Sequence, residues 1–249
     1  MRTAMLCTLI FALATAANAG SALVAVATNF SEAAEYLQAD FERTCPHSLT
    51  VTAGSTGKLY AQIRNGAPFD VFLAADEARP ALLDEQGLAE EQSRFTYAIG
   101  RLTLWSPTPG LIPADGREIL EAGNFRKLAV ANSDLAPYGR ATREVLIALG
   151  LLEKLSTHIV SGENIGQTHA LVATGNAELG FVALSYVLSP RNNSAGSRWD
   201  VPQTLHAPIR QDAILLSRAS SNVAARDFLH YMKSSVARNL IRSYGYETE

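Results

Sequence analysis

"TAGSTGKLYAQIRNGAPFDVFLAADE", Thr52 to Glu77, decides the fold. It reads as the end of a strand, a glycine-flanked turn, a helix closed by Gly66, and a short apolar strand, FDVFLAA. Strand, helix and strand in immediate succession form the repeating unit of an α/β protein. The turn raises a chemical question. Gly54 and Gly57 bracket Ser55 and Thr56, and Lys58 follows, as in a damaged phosphate loop. A Walker A loop has a longer spacer between its glycines and a hydroxyl residue after its lysine. Here Leu59 follows Lys58, so magnesium would lose its usual ligand and a nucleotide site is disfavoured. A structural turn and a cradle for some other anion both remain open.

Outward from this unit the same alternation continues. ALVAVAT precedes it as a strand, and SEAAEYLQADFERT as a helix with Ala33, Leu37 and Phe41 on one stripe. SLTVTAG is the next strand, and EARPALLDEQG follows the quoted unit as a helix. In the second half KLAVANS, THIVSG and LGFVALSYV read as strands, between the helices GRATREVLIALGL and IGQTHALVATG. The pattern predicts mainly parallel strands. Two unusually long extended segments, near residues 96–105 and 207–216, are expected to lead from one lobe to a second and back. That path puts the helices of NVAARDFLHYMK and SVARNLIRSYG on the first lobe. SPRNNSAGSRWDVPQ, Ser189 to Gln203, reads as a surface excursion.

Composition narrows the function classes. Arg2, the apolar run AMLCTLIFALATAA and Ala17-Asn18-Ala19 form a signal peptide over residues 1–19, so the mature chain is expected to begin near Gly20 and to be exported. No stretch is long enough to span a membrane as a helix. Cys7 leaves with the signal, which leaves Cys45 as a bystander thiol and allows no intrachain disulfide. Loss of Arg2 takes the formal charge from −3 to −4, which offers no footprint for nucleic acid or an anionic membrane. Hydrophobic residues make up 47% of the chain, enough for a substantial core.

Four strand-to-helix turns carry small hydroxyl, amide or glycine residues: Thr28-Asn29 with Ser31, Gly54-Ser55-Thr56-Gly57, Pro137-Tyr138-Gly139, and Asn164-Ile165-Gly166. In an open α/β sheet ligands collect at the carboxyl ends of the strands, where helix N-termini offer free N–H groups. Ser, Thr and Asn are also ordinary helix caps, so each turn taken alone reads first as plain capping. Lys58 reads as a solvated helix residue. The enzyme constellations are missing: the five histidines show no metal-type pair, Ser55 lacks a G-x-S-x-G elbow, and Asp70 and Asp76 read as turn and capping residues.

In "VATNFSEA", "GSTGKLYAQIRNGAPFDVFLAADE", "SRFTYAIGRLTLWS", "APYGRAT" and "NIGQTHALVATGNAELGFVAL" the chain resembles the periplasmic molybdate-binding proteins of ABC importers, from about Ala22 to the C-terminus. The resemblance implies a type II periplasmic binding protein fold, two α/β lobes joined by crossing strands. It divides the chain into lobe 1, residues 20–100 and 208–249, and lobe 2, residues 101–207. It implies a periplasmic, monomeric, non-enzymatic receptor without a cofactor. Such a receptor captures molybdate or tungstate and delivers it to a permease of the inner membrane. The oxyanion ligands it implies are Thr28, Asn29, Thr56, Tyr138 and the backbone N–H of Ile165, with Ser55 adjacent. No side chain is expected to coordinate the metal directly. Two alternatives are kept. One is a receptor for another tetrahedral oxyanion such as sulfate. The other is an oxyanion-ester hydrolase using Ser55 or Thr56 as nucleophile.

Overall fold

A computed structural model describes residues 19–194 and 196–249. The expected signal peptide falls outside the described residues except for Ala19. The chain runs β1 (Ser21–Ala27), α1 (Ser31–Thr44), β2 (Ser48–Gly54), α2 (Thr56–Arg64), β3 (Val71–Leu73), α3 (Ala78–Glu85), β4 (Phe95–Gly100) and β5 (Leu102–Ser106). It continues through α4 (Arg117–Ala122), β6 (Leu128–Ala131), α5 (Pro137–Ala148), α6 (Leu152–Leu155), β7 (Ile159–Gly162), α7 (Ile165–Ala173) and β8 (Leu179–Ala183). The last elements are α8 (Leu184–Val187), β9 (Ser197–Asp200), β10 (Ile209–Leu215), α9 (Val223–Met232) and α10 (Ser235–Ser243).

These strands form two five-stranded sheets, ordered β2-β1-β3-β10-β4 and β7-β6-β8-β5-β9. Each is the centre of one α/β lobe. The quoted stretch is a parallel unit as expected: β1 pairs in parallel with both β2 and β3, and α2 ends where Gly66 takes a φ of 84°. The sheets are mixed, however, rather than mainly parallel. β10 runs antiparallel to β3 and β4, and β5 runs antiparallel to β8 and β9. The antiparallel strands are those next to the crossings. A chain that leaves one sheet and returns later enters it without the helical crossover that a parallel neighbour requires.

YAIGRLTLWSP is not one strand. It breaks at Arg101, so β4 belongs to the first sheet and β5 to the second. β10 makes the return journey. The second half of the tract expected to be a surface excursion is in fact an edge strand, β9, with Trp199 opposite Leu104. The Trp199 side chain is buried in the second core, which overrides the turn-rich composition around it.

The first lobe's core joins Val24 and Val26 of β1, Leu37 and Phe41 of α1, and Phe228, Met232 and Ile241 of the C-terminal helices. The second lobe's core joins Leu102 and Leu104 of β5, Leu128 of β6, Val145 of α5 and Phe181 of β8. Both sheets present the carboxyl ends of their parallel strands to the gap between lobes. The turns leading into α1, α2, α5 and α7 meet there.

Candidate functional site

Each of the four turns is the start of a helix or of a single helical turn, where the first N–H groups have no partner within the helix. The first runs through a 3-10 turn, Thr28–Phe30, before α1. At α2 the residue before the helix is Ser55, and at α7 it is Asn164, whose side chain accepts from the Gln167 N–H. α5 begins at Pro137, which has no N–H to leave unpaired. The capping explanation therefore accounts for Asn164 alone. Ser55 makes no capping bond, and its hydroxyl is buried without a partner among the described residues.

The structure brings the turns together in two contacts and a shared hub. The Gly57 N–H donates to the Leu135 carbonyl at 2.9 Å, joining the glycine turn of lobe 1 to the loop before α5 in lobe 2. At Gly57 even a methyl group would press on the Leu135 backbone, which explains the second glycine. The start of α7 abuts Thr28: a Cβ on Gly166 would lie 3.4 Å from the Thr28 Cβ. Asn29 and Tyr138 share Gln211 of β10, described below. Asn29, Ser55, Thr56, Tyr138 and Ile165 are all buried, and Thr28 is half-buried.

Lys58 lies elsewhere. Its ammonium pairs with the Glu163 carboxylate at 2.5 Å across the lobe gap, and both side chains are about half exposed. Other links span the same gap. The Arg79 guanidinium donates to the Asp134 carbonyl, Ser185 to the Asn29 carbonyl, Tyr186 to the Thr28 carbonyl, and Arg191 to Glu35. The lobes are thus closed on the turns.

The available hydroxyls point their chemistry one way. The Thr56 oxygen accepts the Ala75 N–H at 3.2 Å, and the Tyr138 oxygen accepts from Gln211 Nε2 at 3.3 Å. A hydroxyl whose oxygen already accepts still has its one proton to give. Ser55 has its proton uncommitted as well. Burial raises the Tyr138 phenol well above its ordinary pKa, so it stays a donor throughout the physiological range. The Asn29 side chain is already committed within the protein. Both hydrogens of its amide are engaged, with Gln211 Oε1 at 2.8 Å and the Tyr246 hydroxyl at 3.1 Å. What it offers an anion is its backbone N–H at the start of the 3-10 turn.

Composition showed nothing special about Gln211, Tyr97 or Tyr246, which surround this site. The sole signal was weak, a polar run of Arg210, Gln211 and Asp212 inside the crossing strand IRQDAIL. Among the described residues no group of three or more His, Cys, Asp and Glu is placed to hold a metal ion, and no helix is long and apolar enough to cross a membrane. A separate cleft of about 450 Å³ lies on the hinge side, lined by Asp76, Glu77, Arg94, Arg140, Glu144 and Arg210. Its charges are largely paired off: Arg210 with Glu77, and Arg94 with Asp212 of β10.

Ser55→Ala should separate function from stability. The hydroxyl has no partner among the described residues to lose, so the unliganded melting temperature should hold or rise. Anion affinity should fall by about 1.5–3 kcal/mol, the worth of a hydrogen bond to a charged group. Lys58→Ala should change affinity by less than about 1 kcal/mol, as exposed pairs do. Calorimetric titration of both variants checks this ordering, and a larger loss from K58A would return the lysine to the site.

The sequence pattern of the family described as "Bacterial extracellular solute-binding protein" matches residues 22–247. The chain is 46% identical over 234 residues to the molybdate-binding protein ModA of Azotobacter vinelandii, covering 94% of this chain and 92% of that protein. It is 42% identical over 241 residues to the molybdate-binding protein ModA of Rhodobacter capsulatus, covering 97% and 94%. Among solved structures, the Azotobacter vinelandii periplasmic molybdate-binding protein superposes with a TM-score of 0.88 at 41% identity, covering 92% of this chain and 99% of that one.

Proposed function

The chain belongs to the bacterial extracellular solute-binding proteins, and on that premise we propose that it is the molybdate receptor of an ABC importer. The observation that carries the reading is the set of buried, neutral donors at four converging turns, with hydroxyl protons left free at Ser55, Thr56 and Tyr138. Molybdate is a tetrahedral dianion at neutral pH whose oxygens only accept hydrogen bonds. Fixed neutral donors replace its hydration shell without burying a counter-charge, and charge-assisted bonds of this kind are the strong ones. Helix N-termini add their N–H groups and the positive ends of their dipoles. The ligand set is Thr28, Asn29, Ser55, Thr56, Tyr138 and Ile165, the last through its backbone N–H. Tungstate has the same charge and shape and binds alike.

Lobe 1, residues 20–100 and 208–249, and lobe 2, residues 101–207, are the bodies that close on the anion. The receptor acts outside the cytoplasmic membrane after losing residues 1–19, works as a monomer, and passes its cargo to a membrane permease. Isothermal titration with molybdate tests the reading: saturable one-to-one binding supports it, and no heat at micromolar protein would sink it.

Affinity should change little between pH 6 and 8. Burial pushes the His169 imidazole, stacked between Trp105 and Tyr186, below its ordinary pKa, and does the same to His206. A depressed pKa favours the neutral form of each over that of an ordinary imidazole in that window, while the raised phenol of Tyr138 stays protonated. Repeating the titration at pH 6, 7 and 8 checks this, and a tenfold drift would require a titrating group in the site.

A further inference from the structure

Gln211 lies on β10, the returning crossing strand, and is fully buried. It touches three side chains from three distant parts of the chain. Its Oε1 accepts from Asn29 Nδ2 at 2.8 Å and lies 3.1 Å from the Tyr97 hydroxyl, which donates to it or to the Ala74 carbonyl. Its Nε2 donates to the Tyr138 hydroxyl at 3.3 Å. Beyond Asn29 stands Tyr246, whose hydroxyl donates to the Asn29 carbonyl at 2.6 Å and accepts from Asn29 Nδ2 at 3.1 Å.

We propose that Gln211 is a positioning residue that sets the direction of the Tyr138 proton, as the last link of a relay running Tyr246, Asn29, Gln211, Tyr138. The proposal rests on the oxyanion-receptor reading. A primary amide has one accepting and one donating end, so its orientation at one neighbour dictates its orientation at the other. Tyr246 has one proton, and the Asn29 carbonyl holds it. The Tyr246 oxygen can then only accept from the Asn29 side chain, which turns Nδ2 toward it. The same NH2 group reaches Gln211 and so demands Oε1 there. With Oε1 committed to Asn29, Nε2 faces Tyr138, the phenol oxygen becomes an acceptor, and its proton is left for the anion. Were Gln211 reversed, Tyr138 would spend its proton on the amide oxygen and present a lone pair to a dianion.

Gly100 supports the same geometry. It ends β4 beside the crossing, and a Cβ there would overlap both the Tyr138 hydroxyl and the Gln211 amide nitrogen. The hub therefore sits at the junction of the two lobes. It connects a residue of the first, Asn29, with a residue of the second, Tyr138.

A double-mutant cycle tests the relay, read as molybdate affinity by titration. Tyr138→Phe and Gln211→Met should each weaken binding about tenfold, and the double variant should be no more than about twofold weaker than Tyr138→Phe alone. Losses that multiply would show that Gln211 acts independently of the Tyr138 proton and overturn the proposal. Tyr246→Phe, a gentler change, should weaken binding severalfold in the wild-type background and hardly at all beside Tyr138→Phe. That arm stands even if Gln211→Met does not fold. The ligand-free protein gives a second readout in the NMR signals of side-chain amides. Tyr246→Phe should move those of both Asn29 and Gln211, and an unmoved Gln211 signal would break the relay. If the wild type fails to bind molybdate, the receptor reading falls, and the amide signals still decide the relay.

Discussion

Titrated in turn with molybdate, sulfate and phosphate, the protein should bind the first at least about a thousandfold more tightly than the others, a gap of roughly 4 kcal/mol. The two rejections have different causes. Phosphate carries a proton near neutral pH and needs an acceptor for it. The hydroxyls of Thr56 and Tyr138 have their oxygens occupied by the Ala75 N–H and the Gln211 amide, so each presents a proton. A phosphate proton facing such groups goes unpaired, at a cost of about 1–3 kcal/mol on top of the bond it displaces. The buried Asn29 Oδ1 and Ser55 Oγ have no partner among the described residues, so they are the acceptors that could undo this discrimination. Phosphate binding within tenfold of molybdate would mean that one of them does so. Sulfate also accepts only and must be refused by size. The lobes already meet in backbone contact beside the donors, the Gly57 N–H on the Leu135 carbonyl with no room there for a methyl group, so a smaller anion cannot draw them closer without a clash. Equal affinity for sulfate would overturn the molybdate assignment.

Gly100→Ala should damage binding more than loss of the Tyr138 hydroxyl itself. The added methyl overlaps the Tyr138 hydroxyl and the Gln211 amide, two buried groups that cannot leave without abandoning their hydrogen bonds. Overpacking in a filled interior costs about 1–3 kcal/mol of stability, and the displaced phenol loses its bond to the anion as well. Affinity should therefore fall by more than in Tyr138→Phe, which removes one donor and adds no bulk. The unliganded melting temperature should fall too, and further than in Tyr138→Phe, which only leaves the buried Gln211 amide N–H without its acceptor. Thermal denaturation and calorimetry of the two variants check both halves. Wild-type affinity in Gly100→Ala would mean that Tyr138 is not held where the anion needs it.

The α/β class, the helix over α1 and the unit from β2 to β3 were legible because their causes are local. Ala33, Leu37 and Phe41 recur at helical spacing and are buried together, and Gly66 stands where the chain turns into the left-handed region. The candidate turns were legible for the same reason, since a helix start needs small polar residues whatever else it does. β9 was not. Its sequence is that of a loop, and only the hydrogen-bonding edge of β5 and a pocket for Trp199 make it a strand.

By itself the sequence pointed to four turns as candidates for an oxyanion site and read Lys58 as a solvated helix residue, in keeping with its half-exposed pair with Glu163. It could not say which way the hydrogen bonds ran. Asn29, Tyr97, Tyr138, Gln211 and Tyr246 come from both ends and the middle of the chain, and no periodicity relates them. Only the two crossing strands bring them into contact, Gln211 on one and the gap at Gly100 on the other. Donor or acceptor character at Tyr138 and Asn29 is a property of that assembled network. A side chain with both a proton and a lone pair takes its role from its neighbours, and its neighbours are set by tertiary structure.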